Sequence, residues 1–323
     1  MEKRWLKSLT FTTLGLGLAV TTVALTGCDI GTSSTVSGDK VKVYTTMAAE
    51  ADFAKQIGKD HVDVTTWLPF DTNVWQWAPT LADQKNLESA DMFIRNGVHV
   101  EDRWWSQVEA EMKIKNKKLA VVDASTGIDK LQLQRFVNPD VSDEERNKPR
   151  KDPYFYLDPV NAKKEVDTIE AALEAKAPKF KDDFKKNAED LKKQLDDLDK
   201  QFKDMASKAK HKEIVSPYPA FQYLAQQYGL KNYVPDTFNA TKFPWDDPAK
   251  SEAIKADLAK HDLKTVFFEQ DAAPRVKEFL FEMGYVAGAL GTYQGGQDPT
   301  GYKTYVETMK ANLKVLDEGL NAN

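Results

Sequence analysis

The sequence predicts an α/β protein of two lobes joined by one long helix, and three observations carry that expectation. Strand-like and helix-like stretches alternate between residues 40 and 123, and the alternation resumes after residue 213. An unbroken amphipathic, charge-rich stretch separates the two halves.

The first half opens with Lys40-Val-Lys-Val-Tyr-Thr-Thr46, where apolar and polar residues alternate with the period of a strand. Met47 to Ile57 has Ala, Phe and Ile at helical spacing, and Val62 to Leu68 returns to a strand, which completes the start of a βαβ unit. A loop from Pro69 to Asn73 leads to a helix over Thr80 to Ser89, a strand at Met92-Phe-Ile-Arg95 and another at Leu119 to Asp123. In the middle, Pro159 to Glu174 and Pro178 to about Ala209 contain almost no turn signals. Leu191, Leu195, Leu198 and Phe202 recur at threes and fours there, so an apolar stripe runs down a long helix whose charges face solvent. The second half reads as a strand at Glu213 to Ser216 and helices over Ala220 to Tyr228 and Glu252 to Lys260. A strand at Thr265 to Glu269 follows, then helices over Pro274 to Met283 and Tyr302 to Leu320. The expected units are a first lobe at 40–177, a linking helix at 178–209 and a second lobe at 210–323.

The chain begins with Lys3, Arg4 and Lys7, continues through an apolar stretch from Leu9 to Leu25 and reaches Leu25-Thr-Gly-Cys28. A charged start, an apolar middle and small residues before a cut make a secretory signal over residues 1–27. Small residues leading directly into a cysteine suit lipoprotein processing, in which the thiol accepts a diacylglyceryl group, so Cys28 is the expected lipidation site. The alternative is a transmembrane anchor, but the stretch is rich in Thr and Gly and short for the ~20 apolar residues of a span. Cys28 is the only cysteine, which excludes a disulfide within the chain. Gly31 to Gly38 is polar and rich in Gly, Ser and Thr, so residues 28–39 read as a flexible tether. The body is therefore expected outside the cytoplasm, held by lipid to the outer face of the cell membrane.

Lys and Arg number 45 against 50 Asp and Glu, a formal charge of −5. That balance offers no basic face to a polyanion and argues against nucleic acid as a partner. No Gly-x-Ser-x-Gly, His-Glu-x-x-His or phosphate loop is present, and the single thiol has its use in lipidation, so the chain does not read as an enzyme.

The order of motifs resembles the metal-type, TroA-like solute-binding proteins of zinc and manganese ABC importers. The matching pieces are Ile57 to Val64, Ala78-Pro-Thr80, Leu87-Glu-Ser-Ala-Asp91, Asn96-Gly97 with Glu101, and Val121 to Ile128. They continue with Tyr156-Leu-Asp-Pro-Val-Asn-Ala162, Asn187-Ala188, Ala220-Phe-Gln-Tyr223, Val266-Phe-Phe-Glu269 and Ala311-Asn-Leu313, collinear from about residue 40 to 320. The resemblance implies two lobes pinned by a rigid helix with the ligand in the cleft between them. It also implies a tethered monomer that hands its cargo to an ABC permease driven by a cytoplasmic ATPase, with bound zinc or manganese as the family's cargo.

In that family the resemblance implies four metal ligands: His, His, then His or Glu, then Asp or Glu. Imidazole and carboxylate suit such ions because they offer neutral nitrogen or anionic oxygen lone pairs. The first position falls on Trp75 in Asn73-Val-Trp-Gln-Trp-Ala-Pro-Thr80, and the second on Tyr154 in Asp152-Pro-Tyr-Phe-Tyr-Leu-Asp-Pro159. The third falls on Tyr218 in Ser216-Pro-Tyr-Pro-Ala-Phe221 and the fourth on Gly291. No metal ligand set is expected from these residues, and His61, His99, His211 and His261 lie off the matched positions. Trp75, Tyr154 and Tyr218 are instead expected to line the cleft, with Trp77, Phe155, Tyr156, Trp245 and Phe268 as neighbours and Glu269, Asp271 or Asp158 as counter-charge. The same aromatics would be plain packing if the cleft were collapsed, and Asp158 would serve equally as the cap of the helix that starts at Pro159.

The reading that follows is an extracytoplasmic receptor of an ABC importer whose aromatic-lined site takes an organic or chelated small molecule in place of a bare divalent metal. One alternative keeps the metal ion, zinc, manganese or ferric iron, on non-standard ligands, with the Tyr154 and Tyr218 phenolates and Glu269 as hard oxygen donors. Another is a surface adhesin.

Overall fold

Parallel strands follow from the βαβ order of the sequence, and the computed structural model has them in both halves. It describes residues 40–323 apart from 71, 135–141, 143, 145–147, 236–247, 262, 270–273 and 297–302. The signal stretch, the tether, Cys28, Trp245 and Asp271 lie outside the described residues.

In the first lobe, β1 (Val41–Thr45), β2 (Val62–Thr66), β3 (Met92–Arg95) and β4 (Ala120–Asp123) form a parallel sheet of order β2-β1-β3-β4. Helices α1 (Ala48–Gly58), α2 (Leu81–Asn86) and α3 (Trp105–Lys115) connect them. Helix α1 buries Ala49, Phe53 and Ile57, while α2 starts on a reciprocal cap in which Asp83 N donates to Thr80 Oγ1 and Thr80 N to Asp83 Oδ2. Helix α3 is not among the sequence expectations. It buries Trp105, Val108 and Met112 but leaves Ile114 78% exposed, so apolar residues lie on both sides and blur the stripe.

Helix α4 (Pro159–Lys176) begins where Asp158 Oδ1 accepts the N–H of Val160 with Pro159 in the first turn. The long helix α5 (Lys181–Lys208) has 28 residues and so runs ~42 Å. A single turn of tighter helix at Pro178–Phe180 precedes it. Phe184, Ala188, Leu191, Leu195, Leu198, Phe202 and Met205 are buried along one side, and they pack on α4, on α1 and on the C-terminal helix α9 (Tyr305–Leu320).

The second lobe holds two parallel pairs, β5 (Glu213–Val215) with β6 (Lys231–Tyr233) and β7 (Thr265–Glu269) with β8 (Val286–Leu290), β5 lying beside β7. Helices α6 (Gln222–Gln227), α7 (Pro248–Leu258) and α8 (Pro274–Glu282) complete it. Strand β6 escapes sequence reading because three residues carry no period. Strand β8 is Val-Ala-Gly-Ala-Leu, poor in strand-forming residues, and its Gly288 lets the Phe267 ring approach to 2.8 Å from where a Cβ would stand.

One apolar cluster runs from the first sheet through α4 and α5 into α6 and α9, so both lobes share a core. Hydrogen bonds cross between them as well. Tyr156 Oη donates to Thr292 O at 2.8 Å, Tyr305 Oη to Tyr156 O at 2.5 Å, and Ala48 N to Gln294 O at 2.9 Å. Residues Asp39–Asn323 form a single compact unit.

Candidate ligand cleft

Ligands of open α/β folds bind beyond the carboxyl ends of the strands, and the candidate residues lie on such segments. Trp75 is in the loop that leaves β2, where its N–H donates to Asn73 Oδ1 at 2.9 Å and its carbonyl accepts from Arg103 Nη1 at 2.5 Å. Tyr154 opens a short turn at Tyr154–Leu157, held by donation from its N–H to Asp152 Oδ1 at 2.8 Å. Tyr218 follows β5, with its N–H donating to Ser216 Oγ at 3.3 Å, and Glu269 ends β7.

The fold brings these segments together. The Tyr154 and Tyr218 hydroxyls are hydrogen-bonded to each other from opposite lobes, their rings meeting edge-on at 5.5 Å and 65°. The Trp75 side chain hydrogen-bonds to Tyr154, and because indole is a donor only, the phenol oxygen accepts. All three are buried: Tyr154 is fully enclosed, Trp75 is 6% exposed and Tyr218 8%. Burial raises the Tyr154 hydroxyl well above the usual phenol range, and the Glu269 charge adds to the rise. Burial does the same to Tyr218, followed by Tyr154 and Glu269. Both phenols are therefore protonated at neutral pH, and Glu269 is the carboxylate whose field reaches both.

The other candidates are placed differently. Trp77 packs edge-on against Trp104 at 5.8 Å and tilted against Trp67 at 6.4 Å, in an aromatic cluster with Phe93. Phe155 is fully buried between Tyr156 and Tyr223, and Phe268 belongs to the core of the second lobe. Asp158 caps α4, the helix-capping alternative of its two readings. Gly291 bonds both ways with Asn312 of α9, its N–H donating at 2.7 Å and its carbonyl accepting at 2.8 Å.

Three residues beyond Gly291, Gln294 accepts the Ala48 N–H through its backbone carbonyl at 2.9 Å. It is 7% exposed, and its side-chain oxygen has no hydrogen-bond donor among the described residues.

Histidine contributes nothing to the cleft. His61 stacks on Phe180 and meets Asp183, His99 meets Asp102, His211 contacts Ala322 O, and His261 lies on Tyr233 beside Glu213. Among the described residues no three His, Cys, Asp or Glu gather as a metal site. The side chains that meet there are the two phenols and the Trp75 indole, with Glu269 acting on both phenols through its charge. Also among the described residues, no helix is long and apolar enough to cross a membrane.

Comparison with known proteins agrees with this architecture. The family model for the zinc-uptake complex component A, periplasmic, matches residues 43–319. The high-affinity zinc uptake system protein ZnuA of Bacillus subtilis is 32% identical over 300 residues, which span 89% of this chain and 90% of that protein. The manganese ABC transporter substrate-binding lipoprotein PsaA of Streptococcus pneumoniae is 31% identical over 313 residues, 94% of this chain and 97% of that one. The solved structure of the metal-dependent lipoprotein YcdH from Bacillus subtilis aligns with a TM-score of 0.72 at 30% identity, covering 88% of this chain and 100% of its own. The chain belongs to the ZnuA family, the substrate-binding proteins of zinc and manganese ABC importers, and is not an enzyme.

Proposed function

We propose that this chain captures a metal ion outside the cytoplasm, through oxygen donors, and passes it to an ABC permease and its ATPase. The observation that carries the proposal is the meeting of Tyr154 and Tyr218 from opposite lobes, at two positions that the motif resemblance aligns with the family's ligands, with Glu269 acting on both. The metal-importing relatives support an ion better than the organic molecule that the aromatic lining suggests by itself. Trp75 then serves as a wall, since indole offers no lone pair. A cation bound here must displace phenol protons, so uptake releases protons and strengthens as pH rises. Because both phenols are held above their ordinary range, ferric iron, the most strongly acidic of the three ions, suits the donors best. The test is a thermal-shift titration of the body beyond residue 28 with zinc, manganese and ferric iron. A site loaded at a hundredfold excess over Kd gains about 2.7 kcal/mol, and a ferric tyrosinate adds a visible charge-transfer band that Tyr154→Phe removes.

A second reading, an organic or chelated cargo, is favoured by the indole and phenol faces that Trp75, Tyr154 and Tyr218 bring to one place. It predicts quenching of Trp75 fluorescence by a chelate and none by the bare ion.

The lipid tether at Cys28 belongs to the same proposal. Its supports are the cysteine after small residues in the sequence and the description of PsaA as a lipoprotein. Cys28→Ala is expected to abolish lipid labelling and release the protein from the membrane fraction. The lobe limits 40–177 and 210–323, with 178–209 as the link, are proposed on the same footing, as is action as a monomer.

A further inference from the structure

Behind the cleft wall lie three carboxyl side chains for which the capture of cargo has no use. Glu50 on α1, Glu101 in the loop after β3 and Glu165 on α4 are 0%, 1% and 0% exposed. Glu101 accepts the N–H of Asn96 at 2.8 Å and of Gly97 at 3.2 Å, and Glu50 Oε2 accepts that of Met47 at 3.1 Å. Glu50 Oε1 and both oxygens of Glu165 have no donor among the described residues. The fully buried Asn96 Oδ1 is likewise without a donor among the described residues, while the Thr46 hydroxyl is directed to Glu101 and the Asn96 side chain to Glu50.

The charged and titratable groups around the cluster come from each packed element. Glu50 faces Glu101 and Glu165, the Tyr156 hydroxyl feels Glu50 and Glu165, the Tyr305 hydroxyl of α9 feels Glu165, and Arg95 acts on Glu101 while also pairing with Asp123 at 3.7 Å. Three ionised carboxylates sharing one guanidinium in the interior would cost several kcal/mol each, and such groups neutralise instead. A neutral carboxyl also supplies an O–H donor to acceptors that have none, Glu50 Oε1, the Glu165 oxygens and Asn96 Oδ1.

We propose that Glu50 and Glu165, with Glu101, Thr46 and Asn96 around them, form an internal site for protons, filled at neutral pH and emptied in alkali. Glu101 accepts two backbone N–H groups and is the best placed of the three to hold a charge. Burial, then the charge of Glu101, lifts Glu50 to about 8, and burial followed by Glu50 lifts Glu165 well above the carboxylate range. The folded state thus keeps protons that the unfolded chain releases above its ordinary value of 4.5. The stabilisation is complete below that value and is lost as pH rises through about 8. Its loss places charge beside Tyr156, whose hydroxyl ties the first lobe to Thr292 of the second.

The experiment is infrared spectroscopy of the full chain across pH, with melting temperature measured in parallel. Expected is a protonated-carboxyl carbonyl band at neutral pH that fades through about pH 8, as Glu50 does. Glu50→Gln and Glu165→Gln should each remove part of that band and flatten the fall of melting temperature with pH. No such band at neutral pH, or a band unchanged in both variants, overturns the proposal. The spectrum of the unsubstituted chain decides the question even where a variant fails to fold. Neither readout uses a metal, so the result is independent of the cargo.

Discussion

Along α5 the buried side chains include Phe184, Leu191, Leu195, Leu198 and Phe202, apolar and needing no partner, and the one polar member of the stripe, Asn187, is satisfied by donating to Ile57 O at 2.9 Å. Where the lobes meet, Tyr154, Tyr156 and Tyr218 are buried as well, but each carries a hydroxyl that must be satisfied, and each finds its partner in the opposite lobe. The stripe stabilises by area and shape and is indifferent to pH. The tyrosine hydroxyls tie the two lobes together at defined points, and under the proposed function a cation at Tyr154 and Tyr218 would replace their protons.

Substitution should separate the two regions. The largest effect is expected from Leu195→Ala, which opens a cavity in the shared core and costs ~2–5 kcal/mol in denaturant unfolding. Cargo binding of the molecules that remain folded should be unchanged. Tyr218→Phe removes one hydroxyl of the inter-lobe pair and should cost ~1 kcal/mol of stability, while metal binding is lost. A variant that loses stability but keeps full metal affinity would separate the hydroxyl's structural role from the proposed chemistry. The smallest effect belongs to Lys163→Ala on the solvent side of α4. Its ion pair with Asp196 is 33% and 58% exposed at the two side chains, and such surface pairs are worth ~1 kcal/mol or less.

The same contrast explains what could be read from the sequence. The α5 stripe, the capping Asp158 and β7 were legible because period and capping are local signals. Helix α3, with Ile114 outward, and the three-residue β6 had no local signal to offer. Trp75, Tyr154 and Tyr218 are singled out by motif position, and the structure brings the three side chains together by hydrogen bonds. That Trp77 belongs to the Trp67 and Trp104 cluster instead was beyond sequence reasoning, since neighbours in a loop carry no period to say which way each ring turns. The pairing of Glu50 with Glu165 was also hidden. A glutamate in a helix reads as solvated until the packing of α1 against α4 is known.

Calorimetric titration of the body beyond residue 28 with zinc, manganese and ferric iron, beside the Tyr154→Phe/Tyr218→Phe double variant, tests the central claim most directly. The account predicts saturable binding of at least one of these ions, accompanied by proton release and abolished in the double variant. Absence of binding by all three ions, or equal binding by the double variant, would contradict it.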